Sequence, residues 1–405
     1  MDTRRREQFG GELRQLRERA GISLSELATR VHVHRGYLGH IEQGERWPSR
    51  RIVEALDSAL NARRMLLDTW SAVEASRSSL ARATADPVDP GELEAVELAR
   101  RVAASDVGAE TLARLEAAVD DLATAYPVTA PDELLDRVRV HLGYVSRLTD
   151  ARATLDERHR LLVVGGWLAL LAATLHIDLE QRRPARSWLD TATGLAEQTG
   201  HAEIHAWRYE TEAWQVLTDG DYRRAVELSQ TAQQIAPRGS SAAIQATAQE
   251  GRAWARLGET RDTYDAINRV HKLAAPLPRP DRPEHHYRYD PTKAVAYTAT
   301  TLAWVGDRAA ENYAREIIAR LHRNGDSGRW PRRVAAANID LALALLTTDH
   351  LDEAAARTLA AMNSGMVVPS NHWRALEVVH AIENRQLPEG RDLRDAYEQM
   401  RRTAR

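Results

Sequence analysis

Residues 22–49 read ISLSELATRVHVHRGYLGHIEQGERWPS, and the reading of the whole N-terminus turns on this stretch. Ser23 with Glu26 three residues later is the S-x-x-E pattern of a helix N-terminus. Leu27, Ala28 and Val31 then recur at the spacing of one helix face. A tight break at His32-Val33 leads into a helix from His34 to Gln43, with Leu38 and Ile41 turned inward and Gly44 as its stop. Upstream, Phe9, Leu13, Leu16 and Ala20 share a face on a helix ended by Gly21. Downstream, Pro48 and Ser49 open another helix, with Ile52, Val53, Leu56 and Leu60 as its apolar side. Short helices in this order, two of them joined by a break of a few residues, predict a compact unit over residues 6–65.

The pattern L-R-x-L-R-x-x-A-G-I-S, then S-E-L-A, then Y-L-G-H-I-E-x-G-x-R-x-P-S, over Leu13–Ala62, resembles the lambda-repressor-like helix-turn-helix of the XRE family. The resemblance implies a second motif helix that enters the DNA major groove while the first crosses the backbone. In that frame the reading positions are His34, Arg35, Gly36 and Tyr37, with His40 one turn on along the same face. Arg35 can bond a guanine bidentately, His40 can donate to guanine N7, and Gly36 lets the backbone approach. Arg46 and Arg50 fall where such domains touch phosphates. Two positions depart from the family pattern. Leu24 stands where Gln is common, which removes a phosphate contact, and His32 stands at the usual turn glycine.

The charge pattern agrees. The chain has 405 residues and a formal net charge of −3, but residues 1–65 carry 13 Lys+Arg against 9 Asp+Glu, a net of +4 on an otherwise acidic body. A basic head of this kind points to a nucleic-acid-facing module on a separate scaffold. Only Lys272 and Lys293 are lysines, so the abundance of Arg reflects coding bias and no single surface Arg carries much weight. Cysteine is absent, which excludes disulfides, thiolate metal sites and cysteine nucleophiles. No apolar segment follows the basic N-terminus, so no secretory leader is expected and the location is cytoplasmic. The apolar run Leu161–Ile177 contains Gly165-Gly166 and His176 and is expected to be a buried core helix rather than a membrane span.

Strand signals are scarce, and Ala, Leu, Arg and Glu at helical spacing predict an all-α chain. The segment Ala85–Gly91, with prolines at 87 and 90, is expected to break it. Residues 66–130 then form a helical linker and dimerisation segment, and residues 131–400 a series of helix pairs. Gly220-Asp221-Tyr222 with Ala225, Ala232 and Pro237 resembles the second half of a tetratricopeptide (TPR) repeat. Ala185, Ala225, Thr263, Glu311 and Ala354 would be equivalent positions, spaced by 40, 38, 48 and 43 residues, longer than the usual repeat. The expected architecture is therefore a helix-turn-helix domain followed by a TPR-like α-superhelix. A superhelix of this kind presents the first helix of each pair to a concave face. That frame places Trp207, Glu210, Trp214, Gln245, Arg252, Arg256, Lys293 and Thr300 in a ligand groove. Arg252, Arg256 and Lys293 can hold a carboxylate, Gln245 a peptide backbone, and Trp214 can stack on an apolar group. The proline-rich loop Ala275–Pro291 is expected to pack Tyr287 and Tyr289 in order. His285, His286 and Asp290 lack metal-ligand spacing, so no metal is expected.

The order of the two modules resembles peptide-sensing quorum regulators and, more closely through Arg282–Tyr287 and Ala299–Asp307, regulators of high-GC bacteria. The resemblance implies a transcription regulator, homodimeric on an inverted-repeat operator of double-stranded DNA, with a peptide or small-molecule effector or a protein partner. A ligand that alters the pitch of the superhelix would shift DNA affinity. No P-loop, dinucleotide fingerprint, nucleophile elbow or H-E-x-x-H is present, so neither catalysis nor a cofactor nor a membrane is expected. The alternative is an interaction adaptor that keeps the helix-turn-helix only as a fold, which Leu24 and His32 favour.

Overall fold

The computed structural model describes residues 3–83, 90–323 and 330–403. Every regular element among the described residues is helical. The break expected at Ala85–Gly91 lies outside them, apart from Pro90 and Gly91, which begin a helix. The chain divides into two compact units, Met1–Arg101 and Val102–Arg405.

The first unit contains α1 (Thr3–Arg19), α2 (Leu24–Arg30), α3 (Arg35–Glu42), α4 (Arg50–Ala59), α5 (Met65–Ala83) and most of α6 (Pro90–Ala103). Its core is the apolar set expected from the spacing: Phe9, Leu13, Leu27, Leu38, Ile41, Val53 and Leu56 are all essentially unexposed. Gly21 ends α1 at φ 67°. His32 takes the turn position between α2 and α3 at φ 55°, a left-handed conformation that His tolerates better than most side chains. Ser23 caps α2 by accepting from the Glu26 N–H at 3.2 Å, while the Glu26 carboxylate turns to Arg30, so only half of the capping box forms. The core also takes in Leu66, Leu67 and Trp70 from the first half of α5. Asp57 fixes that helix by accepting from the N–H groups of Arg64, Leu66 and Leu67 at 2.7–3.2 Å, a charged cap on three otherwise orphaned donors. Trp70 Nε1 donates to the Pro48 carbonyl at 3.0 Å.

The second unit begins with α7 (Ala109–Ala125) and α8 (Pro131–Thr149). Helix hairpins follow: α9 (Leu155–Asp178) with α10 (Arg182–Thr199), α11 (Ala202–Thr218) with α12 (Tyr222–Ile235), and α13 (Ser241–Leu257) with α14 (Thr260–Ala274). Then come α15 (Lys293–Val305) with α16 (Ala310–Arg323), α17 (Pro331–Thr347) with α18 (Leu351–Asn363), and α19 (His372–Asn384) with α20 (Glu389–Thr403). The repeat is set by one backbone device. Glu180, Gly220, Gly258, Gly306, Asp349 and Gln386 each adopt positive φ between the two helices of a hairpin. The N–H of the next residue then bonds a carbonyl five residues back, as in Gln181 to His176, Asp221 to Val216, Glu259 to Trp254, Asp307 to Leu302 and His350 to Leu345. This is the bond that ends a helix on a left-handed residue.

Counting four residues on from those second residues gives Ala185, Ala225, Thr263, Glu311 and Ala354, the equivalence read from the sequence. Four of them are completely buried, but Glu311 is not. Helix α16 starts with tighter bonds, Ala310 to Asp307 and Glu311 to Arg308, so Ala310 takes the buried place.

The first helices of successive hairpins, α9, α11, α13, α15, α17 and α19, touch in sequence and form the inner wall. Helix α9 is apolar and long enough to cross a membrane, yet 83% of its most apolar window is buried in this unit. Its glycine pair allows that burial: a Cβ on Gly166 would stand 3.0 Å from Ile204 Cδ1, and one on Gly165 would stand 3.4 Å from Leu195. The array curls until α9 meets the 3-10 turn Pro369–Asn371, where Ser370 Oγ donates to Asp178 Oδ1 at 3.3 Å. The proline-rich loop between α14 and α15 is ordered against α7. His286 N–H donates to the Ala123 carbonyl at 3.0 Å, Arg282 pairs with Asp121, and Arg288 and His285 meet Asp120. Tyr287 and Tyr289 are both buried, as expected from the loop composition.

Candidate functional site

Two places bring chemistry-bearing side chains together, one in each unit. In the first, α1 holds α3 in place. The Arg17 guanidinium forks onto Glu42, Nε to Oε1 at 2.6 Å and Nη2 to Oε2 at 3.0 Å, and its Nη1 reaches the Ile22 carbonyl at 3.1 Å. A part-buried bidentate pair of this kind fixes geometry as well as charge. Gly10 lets the helices approach: a Cβ there would stand 2.5 Å from the Glu42 carbonyl oxygen. Leu24 packs on the core beside Gly39, which accounts for an apolar side chain at that position.

The reading positions then divide. Arg35 and Gly36 are exposed, and Arg35 has no partner among the described residues. His34 caps α3, its Nδ1 accepting from the Gly36 N–H at 3.2 Å, so only Nε2 is free to meet a ligand. Tyr37 is half-buried against the core. His40 Nδ1 lies 2.5 Å from Glu45 Oε2, so the ring can donate from Nε2 only when it carries both protons. Arg46 is exposed and unpaired among the described residues, whereas Arg50 is paired with Glu54 at 2.9 Å.

In the second unit the inner wall surrounds a cleft of about 370 Å³. Trp207, Glu210 and Trp214 reach it from α11, Gln245 and Arg252 from α13, and Lys293 and Thr300 from α15. These are residues that the repeat frame placed in a groove. Arg256 is not brought there. At the last turn of α13 it turns toward α19, where it pairs with Glu377 and packs on Trp373, while it donates to Tyr222 OH of α12 and lies over Trp304 of α15. The loop Ala275–Pro291 contributes Arg279, Glu284, His286 and Asp290 to the lining.

Three arginines of the wall are matched by acids. Arg374 pairs with Asp340, whose other oxygen accepts from Thr300 at 2.7 Å. Arg332 lies 3.6 Å from Asp178, which accepts from Tyr126 OH at 2.8 Å. Arg333 lies 3.5 Å from Asp290. Burial pushes the Asp178 carboxyl up, with Arg332 opposing it. Burial likewise holds His286 down at about 3 and His285 at about 4, so both rings are neutral, and His286 packs against Tyr126 with the two rings tilted. Asp340, Arg374 and Gln249 were missed at the level of sequence. Asp340 is a lone charge in an apolar helical run, which is the available signal for it, and Gln249 lies on the stripe shared by Gln245 and Arg252.

Two groups at the centre titrate near neutrality. Burial raises Glu210 to about 7 against the bond from Gln245 and the charges of Arg252 and Lys293. Burial lowers Lys293 to about 7, aided by Arg333 and opposed by Asp290 and Glu210. The folded chain keeps the Glu210 proton between 4.5 and about 7 while the unfolded chain has lost it, so stability falls as pH rises through that window. Folded Lys293 is short of a proton between about 7 and 10.5, so stability recovers above neutrality. His285 and His286, held neutral in the fold, give the opposite slope below 6.5, so the Glu210 contribution shows as a difference between chains. Relative to Glu210→Gln, the wild-type chain should lose melting temperature as pH rises from 4.5 to about 7. Thermal melts of both chains across pH 5 to 9 check this, and a difference that stays constant with pH would contradict it.

Residues 8–70 match the family described as "Helix-turn-helix domain". No curated protein sequence matches the chain significantly. Among solved structures, that of Bacillus thuringiensis PlcR in complex with the peptide PapR7 and DNA aligns at 10% identity, covering 94% of this chain and 99% of that one, with a TM-score of 0.34. A score that low does not establish a shared arrangement.

Proposed function

We propose that this chain is a sequence-specific DNA-binding transcription regulator whose second unit takes a small effector. The observation that carries the reading is the match of residues 8–70 to a helix-turn-helix domain, with Arg35 exposed and unpartnered on a helix that Arg17 and Glu42 hold rigid. Arg35 and His40 read base edges, Arg46 and Arg50 meet phosphates, and His34 and Gly36 shape the N-terminus of α3. The regulator acts as a homodimer on an inverted repeat, with half-sites about 34 Å apart or a multiple of that. A ligand in the cleft touches α11, α13 and α15 together, so it favours one stacking of these helices over another. A coupling of about 1–3 kcal/mol would change DNA affinity by about 5–150-fold.

The adaptor reading draws support from Glu45 on His40 and Glu54 on Arg50, which engage two of the side chains meant for DNA. Sequencing of sheared genomic DNA retained by the full chain separates the two. The regulator reading expects a few enriched sites sharing an inverted repeat, lost in the Arg35→Ala/His40→Ala double variant. Fragments retained without a shared motif, or equally by the variant, would favour the adaptor.

A further inference from the structure

Arg252 and Gln249 stand one turn apart on α13, and both line the cleft. Among the described residues Arg252 has no hydrogen bond or ion pair. Its Nε is sealed from solvent without an acceptor, and its guanidinium lies over the Tyr297 ring at 4.1 Å, with Trp214 at 5.9 Å. Gln249 is 1% exposed, and neither its amide nitrogen nor its amide oxygen has a partner. Arg332, Arg333 and Arg374, by contrast, each face an acid, and Lys293 donates to the Arg288 carbonyl at 3.2 Å. The charges of Asp340 and Glu210 act on Arg252 only through space, and neither carboxylate makes a hydrogen bond or ion-pair contact with it. Buried polar groups are almost always satisfied, so a guanidinium and an amide that find no protein partner at the edge of one space are placed to meet a polar ligand.

We propose that the cleft binds a small organic acid whose carboxylate is held by Arg252 and the Gln249 amide N–H. The proposal rests on the reading of the second unit as an effector domain. A planar guanidinium matches a carboxylate, and because Arg332, Arg333 and Arg374 are already taken by Asp178, Asp290 and Asp340, one guanidinium is left for a singly charged group. In either orientation the Gln249 amide offers an NH2 as donor and a carbonyl oxygen as acceptor. Its acceptor calls for a hydroxyl or N–H beside the carboxylate, as in an α-hydroxy or amido acid. The rings of Trp207 and Trp214 provide surfaces for a flat apolar body. A volume of about 370 Å³ is at the small end for ligand clefts, which suits a body of one or two rings better than an extended peptide.

The test uses the full chain with mandelate and indole-3-lactate as probes and their neutral amides as controls. Tryptophan fluorescence and thermal melting are the readouts. Saturable binding of the acids at millimolar concentration is expected, with the amides weaker by about tenfold or more, the ratio set by one charged hydrogen bond. Arg252→Met and, separately, Gln249→Leu should each weaken the acids by about tenfold or more and raise the melting temperature of the ligand-free chain by about 2 °C. That rise sets a ligand-binding role apart from a structural one, because a structural arginine would lower the melting temperature on removal. Failure of both acids to bind, equal binding of acid and amide, or a fall in melting temperature in both variants overturns the proposal. Binding of the acids with no change in DNA retention would leave the proposal standing and overturn the effector reading. Binding of neither acid by a chain that still retains an inverted-repeat site would overturn the proposal and leave the DNA reading intact.

Discussion

Replacing Gly10 with Ala should strongly destabilise the first unit and weaken DNA retention. The added Cβ would stand 2.5 Å from the Glu42 carbonyl oxygen and 2.6 Å from that of Ile41, both main-chain atoms of α3 that cannot rotate away. To relieve the clash, α1 must back off from α3, which opens the Arg17–Glu42 fork and the packing of Phe9 and Leu13 beneath it. Overpacking of a fitted interface costs about 1–3 kcal/mol and more where backbone is struck, so about 3 kcal/mol is expected. That is a large share of the stability of a small unit. Gly11 supplies the control. It is the next residue on the same helix, a Cβ there meets nothing within 4 Å, and Gly11→Ala should stabilise by up to about 1 kcal/mol through helix propensity. Calorimetry of the full chain resolves the effect. In Gly10→Ala the first unit's transition should fall or vanish while the second unit's stays in place. Equal melting of the two alanine variants would contradict the packing argument.

Asp340→Ala should be the most damaging single change in the second unit. The carboxylate is buried between α15 and α19, accepting from Arg374 on one oxygen and from Thr300 on the other. Its removal leaves the Arg374 guanidinium, itself 5% exposed, without its acid, facing the ring of Trp304 and the like charge of Arg252. Breaking a buried ion pair from one side costs about 3–5 kcal/mol, because the remaining charge is stranded. The double variant Asp340→Leu/Arg374→Met should recover most of that loss, since well-packed apolar residues often replace a buried pair at little cost. Urea unfolding of the two single variants and the double gives the coupling directly. A cost below about 1 kcal/mol for Asp340→Ala would show that water or a shift of α19 solvates Arg374.

Local backbone chemistry explains which features could be read in advance. The hairpin junctions at Gly220, Gly258 and Gly306 announce themselves, because glycine takes their positive φ freely. The equivalent junctions at Glu180, Asp349 and Gln386 do not, since an ordinary residue accepts the same conformation there at some strain. The helix frame brought Trp207, Glu210, Trp214, Gln245, Arg252, Lys293 and Thr300 to one cleft, because positions three and four apart share a face. It misplaced Arg256 because a long side chain at a helix end follows its nearest acid, here Glu377 on a helix 121 residues away. In the first unit Leu38 and Ile41 were legible as core, but nothing in the sequence separates Gly10, pressed against α3, from Gly11, which faces open space. The same holds for Asp57, whose cap on α5 depends on the path of the chain through Asn61, Arg63 and Arg64 at positive φ.

The central claim is that Arg35 reads sequence rather than supplying charge. It is tested most directly by measuring affinity for a recovered site and for the same fragment scrambled, in the wild-type chain and in Arg35→Ala. The account predicts that Arg35→Ala weakens the recovered site by about 1–3 kcal/mol and leaves scrambled DNA nearly unchanged, so that the specificity ratio collapses. An equal loss on both fragments, or none on either, would contradict it.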